Sequence, residues 1–140
     1  MSKSGFAPLN KSDSDRLVLD FEVSLTQAIL KGDENNLLAM QVLGNALTKQ
    51  GRHLEALTID RRLTELAPDD DVAFYNFACS LSNLGRVEDS LAALRRSVEL
   101  GYENVEYMTK DPDLENIRRD PRFQDILDSI EAKKCGKPRG

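Results

Sequence analysis

LLAMQVLGNALTKQGRHLEALTIDRRLTELAPDD at Leu37–Asp70 is followed at once by DVAFYNFACSLSNLGRVEDSLAALRRSVELGYEN at Asp71–Asn104. Laid over each other at an offset of 34 residues, the two stretches agree at nine positions: Ala39/Ala73, Leu47/Leu81, Gly51/Gly85, Arg52/Arg86, Leu57/Leu91, Arg61/Arg95, Arg62/Arg96, Glu65/Glu99 and Leu66/Leu100. Unrelated stretches of this length agree at only a few. A unit this short cannot bury its own apolar face, so consecutive copies must stack on one another.

Each copy divides at its Gly-Arg pair. Met40, Leu43 and Leu47 stand at i, i+3 and i+7, one face of a 3.6-residue helix, until Gln50-Gly51-Arg52 breaks it. Ala56, Ile59, Leu63 and Leu66 form a second stripe, which Ala67-Pro68-Asp69 closes because a proline cannot continue the hydrogen-bond ladder. Asp69 or Asp70 suits the N-cap of the next helix. In the second copy Phe74, Phe77 and Leu81 repeat the first stripe, Gly85-Arg86 the break, and Leu91, Leu94 and Val98 the second stripe. Two antiparallel helix pairs are expected.

These residues resemble the tetratricopeptide repeat (TPR), a 34-residue pattern W-x₂-L-G-x₂-Y…A-x₃-F…P. The first copy reads Met40-x₂-Leu43-Gly44-x₂-Leu47, Ala56-x₃-Asp60 and Pro68; the second reads Phe74-x₂-Phe77-Ala78-x₂-Leu81 and Ser90-x₃-Leu94. The small residues Gly44, Ala78, Ala56 and Ser90 leave room for the backbone of a crossing helix. Two positions depart from the pattern. Asp60 stands where a bulky apolar residue belongs, so solvent or a charged neighbour is expected around it, and Tyr102 replaces the terminal proline. The resemblance implies an all-α solenoid of antiparallel helix pairs wound into a right-handed superhelix with helical caps.

The flanks complete this organisation. Leu17, Phe21, Leu25 and Ala28 lie at near-helical spacing between a cap at Asp13 or Ser14 and a stop at Gly32-Asp33, which predicts a capping helix over the first repeat. Leu19–Leu25 also alternates as a half-buried strand would; helix is preferred because a lone strand has no sheet to join. Downstream, Asp111-Pro112 and Asp120-Pro121 each pair a capping Asp with a first-turn Pro. This segment resembles the end-of-array module that follows TPR helices in many bacterial proteins. Tyr107, Met108, Leu114, Ile117, Phe123, Ile126, Leu127 and Ile130 are expected to close the last repeat's open face. The expected organisation is a flexible segment 1–13, a capping helix 14–36, repeats 37–70 and 71–104, a helical cap 105–132 and a flexible basic tail 133–140.

Composition narrows the function classes. The chain of 140 residues carries 19 Lys and Arg against 24 Asp and Glu, a formal charge of −5. No basic excess supports nucleic-acid or anionic-membrane binding, and no apolar run approaches the ~20 residues of a bilayer-spanning helix. The opening MSKSG lacks an apolar leader, so a cytoplasmic location is expected. Cys79 and Cys135 form no CxxC and have no histidine cluster beside them; both are expected as reduced thiols, with no metal and no cofactor. His53 reads as a helix-start surface residue, and no third group turns Cys79 into a nucleophile. No enzymatic motif is present.

Binding is the expected role. The resemblance implies that first helices line the concave side, which turns Leu38, Gln41, Asn45, Thr48, Lys49, Val72, Tyr75, Asn76, Cys79, Ser82 and Asn83 into a groove. From these, Gln41, Asn45, Thr48, Lys49, Tyr75, Asn76, Cys79 and Asn83 form the candidate peptide-binding set. Side-chain amides donate and accept together, which suits an extended peptide backbone, and Tyr75 offers an amphipathic anchor. Asn45 and Asn76 match two asparagines of carboxylate-clamp TPR co-chaperones, but Gln41 stands where a clamp lysine belongs. With Lys49 as the groove's cation, a neutral or mildly basic partner is expected over an acidic one. Arg61–Glu65 and Arg95–Glu99 are expected to pair along their own helices as an outer ridge. The function that follows is a non-catalytic protein-interaction adaptor. The alternatives are a homo-oligomeric assembly protein, as a homodimer, and a small secretion-type chaperone.

Overall fold

A computed structural model describes residues 8–136; most of the two ends expected to be flexible, 1–7 and 137–140, lies outside them. The chain is all-helical: α1 Lys11–Gly32, α2 Leu37–Lys49, α3 His53–Leu66, α4 Asp71–Asn83, α5 Val87–Glu99, α6 Val105–Lys110, a 3₁₀ turn Pro112–Leu114, α7 Glu115–Arg118 and α8 Pro121–Lys134. From α1 to α5 each helix packs on the next, the arrangement of a TPR-like helical solenoid. Residues 19–25 lie inside α1, and no strand occurs among the described residues.

Local chemistry sets the helix ends. Gly51 and Gly85, with φ of 77° and 74°, hold the left-handed conformation that a Cβ would penalise. The residue after each glycine reaches back over it, Arg52 N–H to the Leu47 carbonyl and Arg86 N–H to the Leu81 carbonyl, both at 2.9 Å. This six-to-one closure ends α2 and α4 alike, 34 residues apart in sequence. Asp70, Asp111 and Asp120 each accept backbone N–H bonds at the start of the element that follows. At the N-terminus the cap is Asn10, which accepts from Asp13 N, rather than Asp13 or Ser14, so α1 begins at Lys11 and takes in residues expected to be flexible.

The C-terminal segment closes the array. Met108, Leu114, Ile117, Phe123, Ile126, Leu127 and Ile130 are buried in one cluster with Leu91, Leu94 and Val98 of α5. Tyr107 is not part of that cover; it is 54% exposed. Arg122 of α8 grips both Glu88 carboxylate oxygens at 2.6 and 2.8 Å, strapping α8 to the first turn of α5.

Two expectations are corrected. The stripe Leu17, Phe21, Leu25 faces solvent, with Val18 and Ile29 beside it, while Val23, Thr26, Leu19 and Leu30 turn inward. Val23, Leu57 and Leu91 recur at 34-residue steps and are all buried, so α1 takes the register of a second repeat helix. On the outer ridge the expected i,i+4 pairs give way to Arg96–Glu99 at i,i+3, and Arg62 donates to Asn35 instead.

Asp60 meets its expectation in part: it is 2% exposed, so solvent does not surround it, but charged Asp113 lies near it, and it accepts a hydrogen bond from Ser80 Oγ at 2.6 Å. A Cβ on Gly44 would lie 2.5 Å from Asp60 Oδ1, so only glycine lets α2 pass this carboxylate. In the second repeat the equivalent pair is Ala78 and Leu94, both fully buried. Gly44→Ala is expected to lower stability by about 1 kcal/mol, because overpacking at ~1–3 kcal/mol outweighs the ~1 kcal/mol gain in helix propensity. In an Asp60→Ala background the same change is expected to be neutral or stabilising. Urea unfolding of the four proteins checks it; equal effects in both backgrounds would refute the contact.

Candidate ligand groove

The side chains that α2 and α4 turn away from their packing stripes meet the C-terminal segment in one cavity of about 450 Å³. Asn45, Thr48 and Lys49 come from α2, Asp60 from α3, and Val72, Tyr75, Asn76 and Cys79 from α4. Tyr102, Asn104, Tyr107, Asp111 and Asp113 supply the remaining wall. Asn76 also lines a neighbouring cavity of about 140 Å³ with Leu37, Leu38 and Gln41, so the groove runs on along the first helices.

Its walls are tied together. Tyr75 donates to Asp111 Oδ2 at 2.7 Å, and the Cys79 thiol points at the same oxygen from 3.8 Å. Asp111 Oδ1 accepts the Asp113 N–H at 2.9 Å, which is the cap of the short 3₁₀ turn. The Tyr75 and Tyr102 rings stack with centroids 4.3 Å apart and planes 11° from parallel, and Tyr107 lies 6.1 Å from Tyr75 at 45°. These are the chain's three tyrosines. Arg118 donates to the backbone carbonyls of Met108 and Asp111 and so braces this wall from behind.

The candidate set therefore divides. Asn45, Thr48, Lys49, Tyr75, Asn76 and Cys79 line the main cavity and Gln41 the adjoining one. Asn83 is committed internally, donating to Asp113 Oδ1 at 3.2 Å. Ser82 is fully buried beneath Asn116, which donates to its carbonyl, so it does not reach the groove. Asp60, Tyr102, Asn104, Tyr107, Asp111 and Asp113 were not foreseen there. Two of them carried a signal: Asp60 and Tyr102 are the two departures from the repeat pattern.

The electrostatics are acidic. Burial raises the Asp60 carboxyl from 3.8 to about 6, the Ser80 hydrogen bond works against the rise, and nearby Asp113 adds to it. Asp113 is raised mainly by burial and further by Asp111, while Asn83, His53 and Lys49 pull it back. Burial, and then Asp111, Asp113 and Asp60, push the Cys79 thiol well above its ordinary value. A thiol so held stays protonated, the opposite of what a nucleophile needs. Cys79, Asp111 and Asp113 place their ligating atoms within 4.8 Å of one another, a spacing that suits a cation. Both Asp111 oxygens, however, already accept hydrogen bonds.

Fold and groove together define a short helical solenoid of TPR-like units. No family model matches the chain. It is 34% identical over 87 residues to a chloroplastic protein of Arabidopsis thaliana, covering 60% of this chain and 26% of that protein. It is 39% identical over 62 residues to a TPR repeat-containing protein of Picosynechococcus sp., covering 44% of this chain and 16% of that protein. The chain thus spans about a quarter of the first relative's length and less of the second's. No helix among the described residues is long and apolar enough to cross a membrane.

Asp60 gives the groove a pH signature. Its carboxyl titrates near 6 when folded against 3.8 when exposed, so ionising it costs the folded state. The cost is absent well below pH 3.8, grows as pH rises from about 4 to 6, where the exposed carboxyl has ionised and the folded one has not, and is complete above about pH 7. Asp60→Asn is therefore expected to match wild type at about pH 3 and exceed it by on the order of 2–3 kcal/mol at pH 8. Chemical denaturation at both pH values tests this; a constant difference would refute it.

Proposed function

We propose that the chain is a non-catalytic protein-interaction adaptor that holds a segment of a partner in the groove between α2 and α4. The observation that carries this reading is the pair Asn45 and Asn76. Both line the cavity, Asn45 exposed and Asn76 half-buried. Among the described residues neither side-chain amide is engaged by another group, whereas Asn83 is taken up by Asp113. Two open amides, on α2 and α4, offer donors and acceptors to one cavity, which an extended backbone can match. Similarity to a TPR repeat-containing protein supports an adaptor. We place the site at Gln41, Asn45, Thr48, Lys49, Tyr75 and Asn76, with Cys79 beside them and Asn83 bracing Asp113 of the wall, and the protein in the cytoplasm. Asn45→Ala with Asn76→Ala is expected to weaken partner capture on the order of tenfold, since each lost hydrogen bond is worth ~0.5–1.5 kcal/mol. Helical circular dichroism should be unchanged; undiminished capture would remove the groove from this reading.

A second reading, self-association, rests on α1. Leu17, Val18, Phe21 and Leu25 are 47–65% exposed and Ile29 38%. Together they leave on the order of 500 Å² of apolar surface to water. A standard interface of ~800 Å² per partner is a little over half apolar, so one such face matches one side of a dimer. The occupant proposed is α1 of a second copy. Light scattering at rising concentration should show a dimer that Phe21→Ser with Leu25→Ser abolishes; a strict monomer at millimolar concentration would exclude it.

A further inference from the structure

We propose that the end of the groove walled by Tyr75, Tyr102 and Tyr107 receives a cationic side chain of the partner, a lysine or arginine, opposite Asp60 and Asp113. This rests on the adaptor reading above and names the chemistry that the groove selects.

Three observations converge on a cation. The first is an unfilled acceptor. Asp60 lines the cavity, and among the described residues Ser80 alone donates to it, at Oδ2, which leaves Oδ1, on the Gly44 side, without a donor. Oδ1 is not sealed off from solvent, and an N–H of ammonium or guanidinium type can bind there. The second is charge imbalance. Asp60, Asp111 and Asp113 share the cavity with one cation, Lys49, and no ion pair among the described residues engages any of the four. Carboxylates crowded in this way repel one another, and an incoming positive charge relieves them, whereas an acidic ligand adds to the repulsion. The third is the aromatic wall. Tyr75 and Tyr102 stack, and Tyr107, more than half exposed, lines the same cavity with its ring at 45° to that of Tyr75. Faces of this kind attract ammonium and guanidinium groups. Asp111 is occupied by Tyr75, Cys79 and its own cap, which leaves Asp60 and Asp113 to meet the ligand.

The chain provides its own reporter. It has no Trp, and all three tyrosines lie at this site, so intrinsic tyrosine emission reads the proposed contact alone. The full chain is screened on an array of random twelve-residue peptides, and the retained peptides are titrated in solution by tyrosine fluorescence. The expected result is a Lys or Arg at one fixed position of the retained peptides. Replacing it by Gln should weaken binding at least tenfold and abolish the emission change. Asp113→Asn should cost the cationic peptide a similar factor and leave its Gln counterpart unaffected. Tyr107→Ala, a change at an exposed side chain that leaves the core intact, should weaken the cationic peptide by about threefold or more. Peptides that need Asn45 and Asn76 yet bind equally well with Gln in place of Lys or Arg would overturn this inference and leave the groove reading standing. An array that retains no peptide, or retention indifferent to Asn45 and Asn76, would overturn both.

Discussion

Three helices meet at one buried carboxylate. Asp60 leaves α3, takes a hydrogen bond from Ser80 on α4 and lies against Gly44 on α2. The second repeat solves the same crossing with Ala78 and Leu94, a methyl against a leucine, which is the better arrangement for stability alone. A buried charge is costly and rarely improves stability, but it specifies geometry, since its partner must sit in one place. Here the partner belongs to the next repeat, so the bond sets how the second unit stacks on the first. The same side chain lines the groove. One residue thus contributes both to the stacking of the units and to the charge of the groove.

The end of the array has a comparable double role. Met108, Leu114 and Ile117 complete the core beneath α4 and α5, and residues interleaved with them build the groove wall. Asp111 shows how one requirement serves another. A cap is needed where the short 3₁₀ turn starts, and an Asp supplies it with one oxygen; the second oxygen then lies within reach of Tyr75. With its hydroxyl satisfied, Tyr75 can be buried at 4% exposure and stack its ring on Tyr102. The first helices provide the amide-bearing floor, the repeats also supply Lys49, Asp60, Tyr75 and Tyr102, and the segment after them adds Tyr107, Asp111 and Asp113.

The legible part of this molecule was the part decided locally. The helix breaks at Gly51 and Gly85 and the caps at Asp70, Asp111 and Asp120 follow from chemistry within a few residues. The first-helix groove positions followed from periodicity together with the resemblance to a known repeat. Choices that depend on distant partners were hidden. α1 carries two apolar stripes, and helical spacing cannot say which faces inward; only the 34-residue register through Val23, Leu57 and Leu91 does. The acidic wall rests on contacts such as Tyr75–Asp111 and Asn83–Asp113, 36 and 30 residues apart, which no local window contains. Asp60 and Tyr102 were visible as departures from the pattern, and both proved to face the groove. In a repeat protein the positions that break the repeat are where burial of a polar group needs a separate explanation.

The two ends of the solenoid meet water differently. A stacked array needs a terminal element that is apolar inward and polar outward. α8 meets that need: Phe123, Ile126, Leu127 and Ile130 point in, while Gln124, Asp125, Asp128 and Glu131 point out. α1 does not. It buries Val23 and Thr26 and still offers Leu17, Val18, Phe21 and Leu25 to solvent. In the complete repeats the positions equivalent to Leu25 are Ile59 and Ala93, both packed into core clusters, so the apolar character there matches what the register requires of a covered helix. Among the described residues, hydrophobic burial therefore ends at a polar face on α8 and at an apolar one on α1.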